Sequence, residues 1–237
     1  MKTGRYDIEN SSYSAALRTR LGQTAPTCLY TLGEMSILHH WQLGLLCSIQ
    51  CPGSIVIQTF DAVRALRDAG VVVVGGFHSP MERECLDILL RGLQPVIMCA
   101  AKRLRGLRLG TAARKALKDG RLLVISPFGD EVKRTTAAQA SQRNELVAAL
   151  ADAVLVPYAA PGGKAESTAK NILARGQPLF TFADENNAHL FHAGAERCTP
   201  GVIASAATEP PLKKRLTRNS ETQMKGPTHE NLTHSNT

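Results

Sequence analysis

The sequence predicts an α/β protein built on a doubly wound, mostly parallel sheet with helices on both faces, and two observations predict it. The first is a repeated order from about Leu43 onward: a short β-branched or apolar run, a turn of small residues, then an amphipathic helix closed by glycine. That order is the grammar of consecutive βαβ units. The second is the uniform apolarity of the strand candidates. A strand with one wet face alternates apolar and polar residues, whereas these do not, as expected of strands covered on both sides. A Rossmann-like domain spanning about residues 41–195 follows from the two together.

The strand candidates are 43–48, 71–75, 95–99, 121–126, 153–157 and 178–182. Between them, Val56, Phe60, Val63 and Leu66 mark a first helix that Gly70 ends, because glycine takes the left-handed conformation at a helix C-terminus without strain. Ser79, Pro80 and Glu82 form the signature of a capping box and open a second helix, which buries Met81, Cys85, Ile88 and Leu89 before Gly92. A short basic helix is expected over 110–118 and a longer one over 136–151, with Ala140, Val147, Leu150 and also Arg143 on one stripe. Further helices are expected over 165–174, before Gly176, and over 186–193. Residues 1–40 hold one helix candidate (14–21) and the segment 26–33, enough for a small N-terminal extension or cap. Residues 196–237 end in a basic, polar run that is expected to be disordered.

A chain of 237 residues with 43% hydrophobic content buries one full core. The net charge of +8 and pI near 9.4 favour a polyanionic partner, since basic residues that neutralise phosphates release counterions. The six cysteines, Cys28, Cys47, Cys51, Cys85, Cys99 and Cys198, lie in apolar stretches without the spacing of a disulfide framework and read as reduced thiols. Cys47 and Cys51 have no second pair to complete a zinc site, so no metal is expected. The first ten residues are charged and lack the apolar segment of a secretory signal. No run approaches the roughly 20 apolar residues of a membrane span. A cytoplasmic location without membrane contact is the expectation.

In an open parallel sheet, ligands bind where the carboxyl ends of the strands meet loops and helix N-termini. The loops in question contain Cys47-Ser48-Ile49-Gln50, Gly75-Gly76-Phe77-His78-Ser79-Pro80, Cys99-Ala100-Ala101-Lys102-Arg103 and Pro161-Gly162-Gly163-Lys164. Small residues, backbone N–H groups and a following helix suit a phosphate. There is no G-x-G-x-x-G or Walker A pattern, which disfavours an ordinary dinucleotide or P-loop site. Gly75 and Gly76 serve either close backbone approach to a ligand or a tight turn. Ser79 serves as a cap or a contact, and His78 as a donor or a loop residue.

Arg143 and Asn144 stand out, because a guanidinium on a packed stripe must be paired or must reach a pocket that accepts anions. From Lys102 to Arg121 there are eight basic residues against the single acid Asp119. A solvated face normally interleaves both signs, so this segment reads as a track for a nucleic-acid backbone, with Lys133 and Arg134 extending it.

Leu29-Tyr30-Thr31-Leu32-Gly33, a strand into Ser48, Val73-Val74-Gly75-Gly76, and Arg143-Asn144-Glu145-Leu146-Val147 in this order resemble the core of the DNA-processing protein A (DprA/Smf) family over about residues 14–195. Where that family has Arg-Asn-Arg and then a Ser-Gly segment leading to Thr-Ala-Arg, the chain has Arg143-Asn144-Glu145, Gly162-Gly163-Lys164 and Thr168-Ala169-Lys170. It departs from the family at Cys47-Ser48-Ile49, where Gly-Ser-Arg is usual, and at Ser79-Pro80, where an Arg-Gly pair is usual. No winged-helix domain is recognisable after the core.

The resemblance implies single-stranded DNA bound at the strand ends, loading of a RecA-type recombinase, no covalent catalysis and no cofactor. It leaves a homodimer open. The expected contacts are backbone donors near Ser48, Gly75, Gly76, Gly162 and Gly163, with Arg143, Asn144 and Lys164. His78, Ser79, Lys102, Arg103 and Arg134 lie beside them. With one Trp and 5% aromatics, long runs of stacked bases are not expected, so binding is sequence-tolerant and salt-sensitive. Two alternatives share the scaffold: a nucleotide-binding sensor, and a phosphoribohydrolase of the lysine-decarboxylase-like group. Pro161-Gly162-Gly163 begins the hallmark of the latter, but Ala165, Glu166 and Ala169 stand where its Gly, Thr and catalytic Glu belong.

Overall fold

The computed structural model describes residues 4–10 and 14–208. Strands β1 (Gly4–Asp7), β2 (Cys28–Leu32), β3 (Gln42–Leu45), β4 (Val72–Gly75), β5 (Val96–Cys99), β6 (Leu122–Ser126), β7 (Ala153–Leu155), β8 (Leu179–Phe182) and β9 (Glu196–Cys198) form one sheet in the order β1-β2-β6-β5-β4-β3-β7-β8-β9. The seven strands from β6 to β9 in that order are parallel, with Leu43 of β3 opposite Val73 on one side and Ala153 on the other. The pair β1 and β2 is antiparallel and joins the sheet through Tyr30 opposite Ser126 of β6. The expected strands all form, shortened by one to three residues, because the terminal residues already turn into the loops.

Among the described residues, eight helices lie on the two faces: α1 (Ala15–Leu21), α2 (Gly53–Asp68), α3 (Pro80–Leu90), α4 (Thr111–Lys118), α5 (Ala137–Leu150), α6 (Lys164–Ala174), α7 (Ala188–His192) and α8 (Pro200–Thr208). One core layer joins the strands to α2, α3, α4 and α8 through residues such as Ile55, Leu66, Leu89 and Ile203. The other joins them to α1, α5, α6 and α7 through Leu17, Leu146, Val147, Ile172 and Leu190. On β4, Val73 serves the first layer and Val72 and Val74 the second, which is why the strand carries no polar residue.

Two expectations about the ends change. Residues 4–40 are not set apart from the core, since β1 and β2 extend the sheet and Leu17 and Leu29 are fully buried in it. The expected disorder from residue 196 does not hold as far as Thr208. There β9 adds a parallel edge strand and α8 packs on α2, with Ile203 and Ala204 buried. The remainder of the expected tail lies outside the described residues. Among the described residues, no helix is long and apolar enough to cross a membrane, and no group of three His, Cys, Asp or Glu is placed to hold a metal ion.

Candidate nucleic-acid interface

From β3 the chain winds outward through β4, β5 and β6 and then returns to place β7 against the opposite side of β3. The loops leaving β3 and β7 therefore diverge, and a crevice opens at their carboxyl ends. Ser48 ties its two sides together: its N–H donates to the Tyr158 carbonyl at 3.0 Å and its Oγ accepts from the Ala160 N–H at 2.9 Å. The helices that follow, α2 and α6, begin at Pro52 and Gly163 without a side-chain cap. Helix N-termini without a side-chain cap are where a phosphate is commonly received.

Gly162 has φ +72°, the left-handed turn that swings the chain into α6. Glu166 accepts from its N–H at 2.6 Å and pairs with Lys170 at 2.8 Å. Lys170 foremost, then this N–H, hold the Glu166 carboxyl below its ordinary range. Lys164, the first residue of α6, is exposed beside Gly163.

After β4, Gly75 and Gly76 answer to two different neighbours. A Cβ on Gly75 would lie 2.9 Å from the ring of Phe77, and one on Gly76 would lie 2.2 Å from Nη1 of Arg143. Phe77 itself is a non-glycine residue at φ +48°, a conformation that costs about 1 kcal/mol or more, and its ring is buried. His78 is exposed. Ser79 is buried as the cap of α3: its Oγ accepts from the Glu82 N–H, while Glu82 Oε2 accepts from the N–H groups of His78 and Ser79. The Ser79 hydroxyl thus serves the helix, and the surface of this loop consists of Gly76 and His78.

Arg143 is 7% exposed. Its helix, α5, starts in a capping box formed by Thr136 and Gln139, and the apolar stripe of α5 turns Arg143 toward the sheet with Leu146, Val147 and Leu150. The guanidinium reaches the carboxyl ends of β4 and β5, against Gly76 and near Cys99, whose thiol burial pushes up to about 12 while Arg143 draws it down. Nε donates to Asn144 Oδ1 at 2.8 Å. No carboxylate pairs with Arg143 among the described residues, so the alternative of a buried salt bridge is not what is found.

The basic segment divides. Lys102, Arg103, Arg105 and Arg108 leave β5 at the carboxyl edge, while α4 runs back and carries Lys118 and Arg121 to the opposite edge. Arg103 Nη1 donates to the Asp130 carbonyl at 3.1 Å and its N–H to Val132 at 2.9 Å, so this residue braces the loop between β6 and α5. Lys102 is half-buried and its carbonyl accepts from Ser126 Oγ. Arg105 pairs with Asp130 and Lys115 with Asp119. Arg108 and Arg134 are exposed and have no carboxylate partner among the described residues. The structure thus gathers Ser48, Gly75, Gly76, Arg143, Asn144, Gly162, Gly163 and Lys164 around the switch point, and sets His78, Lys102, Arg103 and Arg134 on the loops flanking it.

Two features escaped the sequence. Cys47 and Cys51 meet in the loop after β3. The neighbouring Cys51 first and burial second push the Cys47 thiol above its ordinary range, while Cys47 draws the Cys51 thiol below it. A groove of about 860 Å³ opens between α5 and α6. Its one signal in the sequence is the polar stripe of Lys164, Ser167, Thr168 and Asn171 at helical spacing.

Fold and site together define a doubly wound α/β protein that carries, at the carboxyl edge of its sheet, a buried guanidinium with no carboxylate partner among the described residues. The sequence pattern of DNA recombination-mediator protein A matches residues 6–210, and the chain belongs to that family. The fold is similar to that of DNA processing protein A (DprA) from Streptococcus pneumoniae, with a TM-score of 0.73 at 19% identity over 88% of this chain and 75% of that one. It is similar also to DNA processing protein A from Helicobacter pylori, described for its single-stranded DNA binding mode, with a TM-score of 0.70 at 18% identity over 90% and 97%. No curated protein sequence matches the chain.

Proposed function

We propose that the chain is a recombination mediator that binds single-stranded DNA with the phosphates laid across the carboxyl edge of the sheet. They would meet backbone donors near Ser48, Gly76 and Gly163, and the side chains of Arg143 and Lys164. The observation that carries this reading is Arg143, a guanidinium 7% exposed and without a carboxylate partner among the described residues. Burying such a charge unpaired costs several kcal/mol, and a phosphate at the edge would offset that cost. Family membership and the single-stranded DNA binding described for the Helicobacter pylori relative point the same way. Handing the strand to a RecA-type recombinase in the cytoplasm, without chemistry on the DNA, is the finer part of the proposal. A hydrolase at this loop would need a free carboxylate, and Glu166 is occupied by Gly162 and Lys170.

The test is a titration of a fluorescent single-stranded oligonucleotide, with duplex DNA and free nucleotides as competitors. Hydrogen bonds to charged groups contribute about 1.5–3 kcal/mol. Arg143→Ala is therefore expected to weaken binding by about 10- to 100-fold in a protein with an unchanged circular dichroism spectrum. Unchanged affinity in the folded variant refutes the assignment of the edge. Indifference to DNA together with tight binding of a mononucleotide supports the sensor instead.

A further inference from the structure

The loop between β3 and α2 holds two cysteines that the binding of a strand leaves unused. Cys47 and Cys51 are separated by three residues, and the chain bends at Ile49 and Gln50 between them. Both side chains rest on the same apolar cluster, close enough for each thiol to perturb the other. Both are half-buried, and the loop stands open to solvent, with Ile49 72% exposed. The other cysteines lack this setting. Cys85, Cys99 and Cys198 are buried, and Cys28 lies on β2, with β6, β5 and β4 between it and β3.

The two thiols are suited to different parts. Cys51 directly precedes Pro52, where α2 begins without a side-chain cap, and a helix N-terminus favours a thiolate. Cys47 draws the Cys51 thiol below its ordinary range, whereas Cys51 first and burial second raise that of Cys47. Burial foremost pushes the thiol of Cys85 on α3 up to about 12, which keeps it out of an exchange. We propose that Cys47 and Cys51 form a dithiol that hydrogen peroxide closes to a disulfide, and that this closure weakens the strand-binding edge. The Cys51 thiolate attacks one peroxide oxygen, the O–O bond breaks, and the hydroxide that leaves takes up a proton to become water. Cys51 is then a sulfenic acid. The Cys47 sulfur attacks the Cys51 sulfur, the S–S bond forms, and the sulfenic hydroxyl departs with the Cys47 proton as a second water. Two thiols are oxidised and one peroxide is reduced to two waters.

Ser48 lies inside the ring that the disulfide closes. Its N–H donates to the Tyr158 carbonyl at 3.0 Å and its Oγ accepts from the Ala160 N–H at 2.9 Å, so a change of the loop at Cys47 and Cys51 is carried to both sides of the crevice. The effect on the edge rests on the single-strand reading, whereas the disulfide itself does not.

The full chain would be treated with hydrogen peroxide, its remaining thiols alkylated and its peptides mapped by mass spectrometry, for wild type, Cys47→Ser, Cys51→Ser and the double variant. Wild type is expected to lose Cys47 and Cys51 to alkylation together, as one disulfide that dithiothreitol reverses. Cys47→Ser should stop at a sulfenic acid on Cys51 that dimedone traps, and Cys51→Ser should keep Cys47 free. Oxidised wild type is expected to bind a fluorescent single strand roughly 10-fold more weakly, as for the loss of one hydrogen bond to a charged group. Dithiothreitol should restore the affinity, and the double variant should be indifferent to peroxide. Both thiols still open to alkylation, or either one paired with a different cysteine, overturns the dithiol. A disulfide that leaves the affinity unchanged overturns its action on the edge. Failure of the reduced wild type to bind a single strand overturns the reading of the edge, while the peptide map still decides the disulfide. That map is made on the wild type, so it does not depend on the folding of a serine variant.

Discussion

Gly76 and Arg143 form one device at the scale of single residues. The guanidinium lies where a side chain on residue 76 would be, with a Cβ there only 2.4 Å from Cζ and 2.7 Å from Nε. This answers the choice that the sequence left between close approach and a tight turn: Gly76 is small because Arg143 needs the space, and Gly75 because the Phe77 ring does. Gly76→Ala is then expected to push the guanidinium off its seat and to weaken single-strand binding about as much as Arg143→Ala. The double variant is expected to be no worse than either single one, as for residues that act as a unit. Losses that simply add in a titration of the three proteins would separate the two residues. Arg143 was legible in the sequence because a cation on an apolar stripe is conspicuous. Its contact with Gly76, 67 positions away, was not, since no local pattern records which loop a long side chain reaches.

At the scale of elements, the parallel strands and their helices were legible because each repeats one local pattern of apolar run, turn and helix; the capping box of α3 forms as expected, and α5 adds one at Thr136 and Gln139 that was not read from the sequence. The missed elements are those whose sequence departs from that pattern. Strand β9 is Glu-Arg-Cys, an edge strand with two exposed residues, whose Arg197 lies 4.6 Å over the Phe191 ring. Strand β1 is four residues of alternating exposure, and α8 is made of small residues that resemble a linker until Ile203 is seen against α2. Helix α6 carries a pH dependence of its own. Its Glu166 carboxyl is held below the ordinary value of 4.5, by Lys170 first and by the Gly162 N–H second. A folded-state value below the unfolded one means that this carboxylate stabilises the protein at neutral pH and ceases to do so as pH falls through the lowered value. Glu166→Gln is expected to melt at a lower temperature than wild type at pH 7. The gap should be nearly unchanged in melts at pH 5, above the unfolded value, and should shrink by pH 3. A gap that stays constant with pH would mean that the ion pair with Lys170 contributes nothing.

At the scale of the whole molecule, a net charge of +8 draws any polyanion, and what distinguishes a binding face from a merely basic protein is where the charges sit. The fold separates residues that the sequence places in one run: Arg108 lies on the loop leaving β5 at the carboxyl edge, whereas Lys118 ends α4 at the opposite edge, level with Arg91 at the end of α3. All three are exposed, as is Arg134 on the loop after β6. Replacing Arg108 and Arg134 together by glutamine removes the same charge as replacing Arg91 and Lys118, so net charge alone makes the two double variants equivalent. If the strand follows the carboxyl edge, they differ. Each phosphate neutralised contributes about 0.7 to the slope of log affinity against log salt for a single strand. The edge pair should therefore lower the slope by about 1.4 and the affinity with it, while the far pair leaves the slope near that of wild type. Titrations at four salt concentrations resolve such a change. Equal losses in both would place the attraction in the overall field of the protein and remove the edge as its seat.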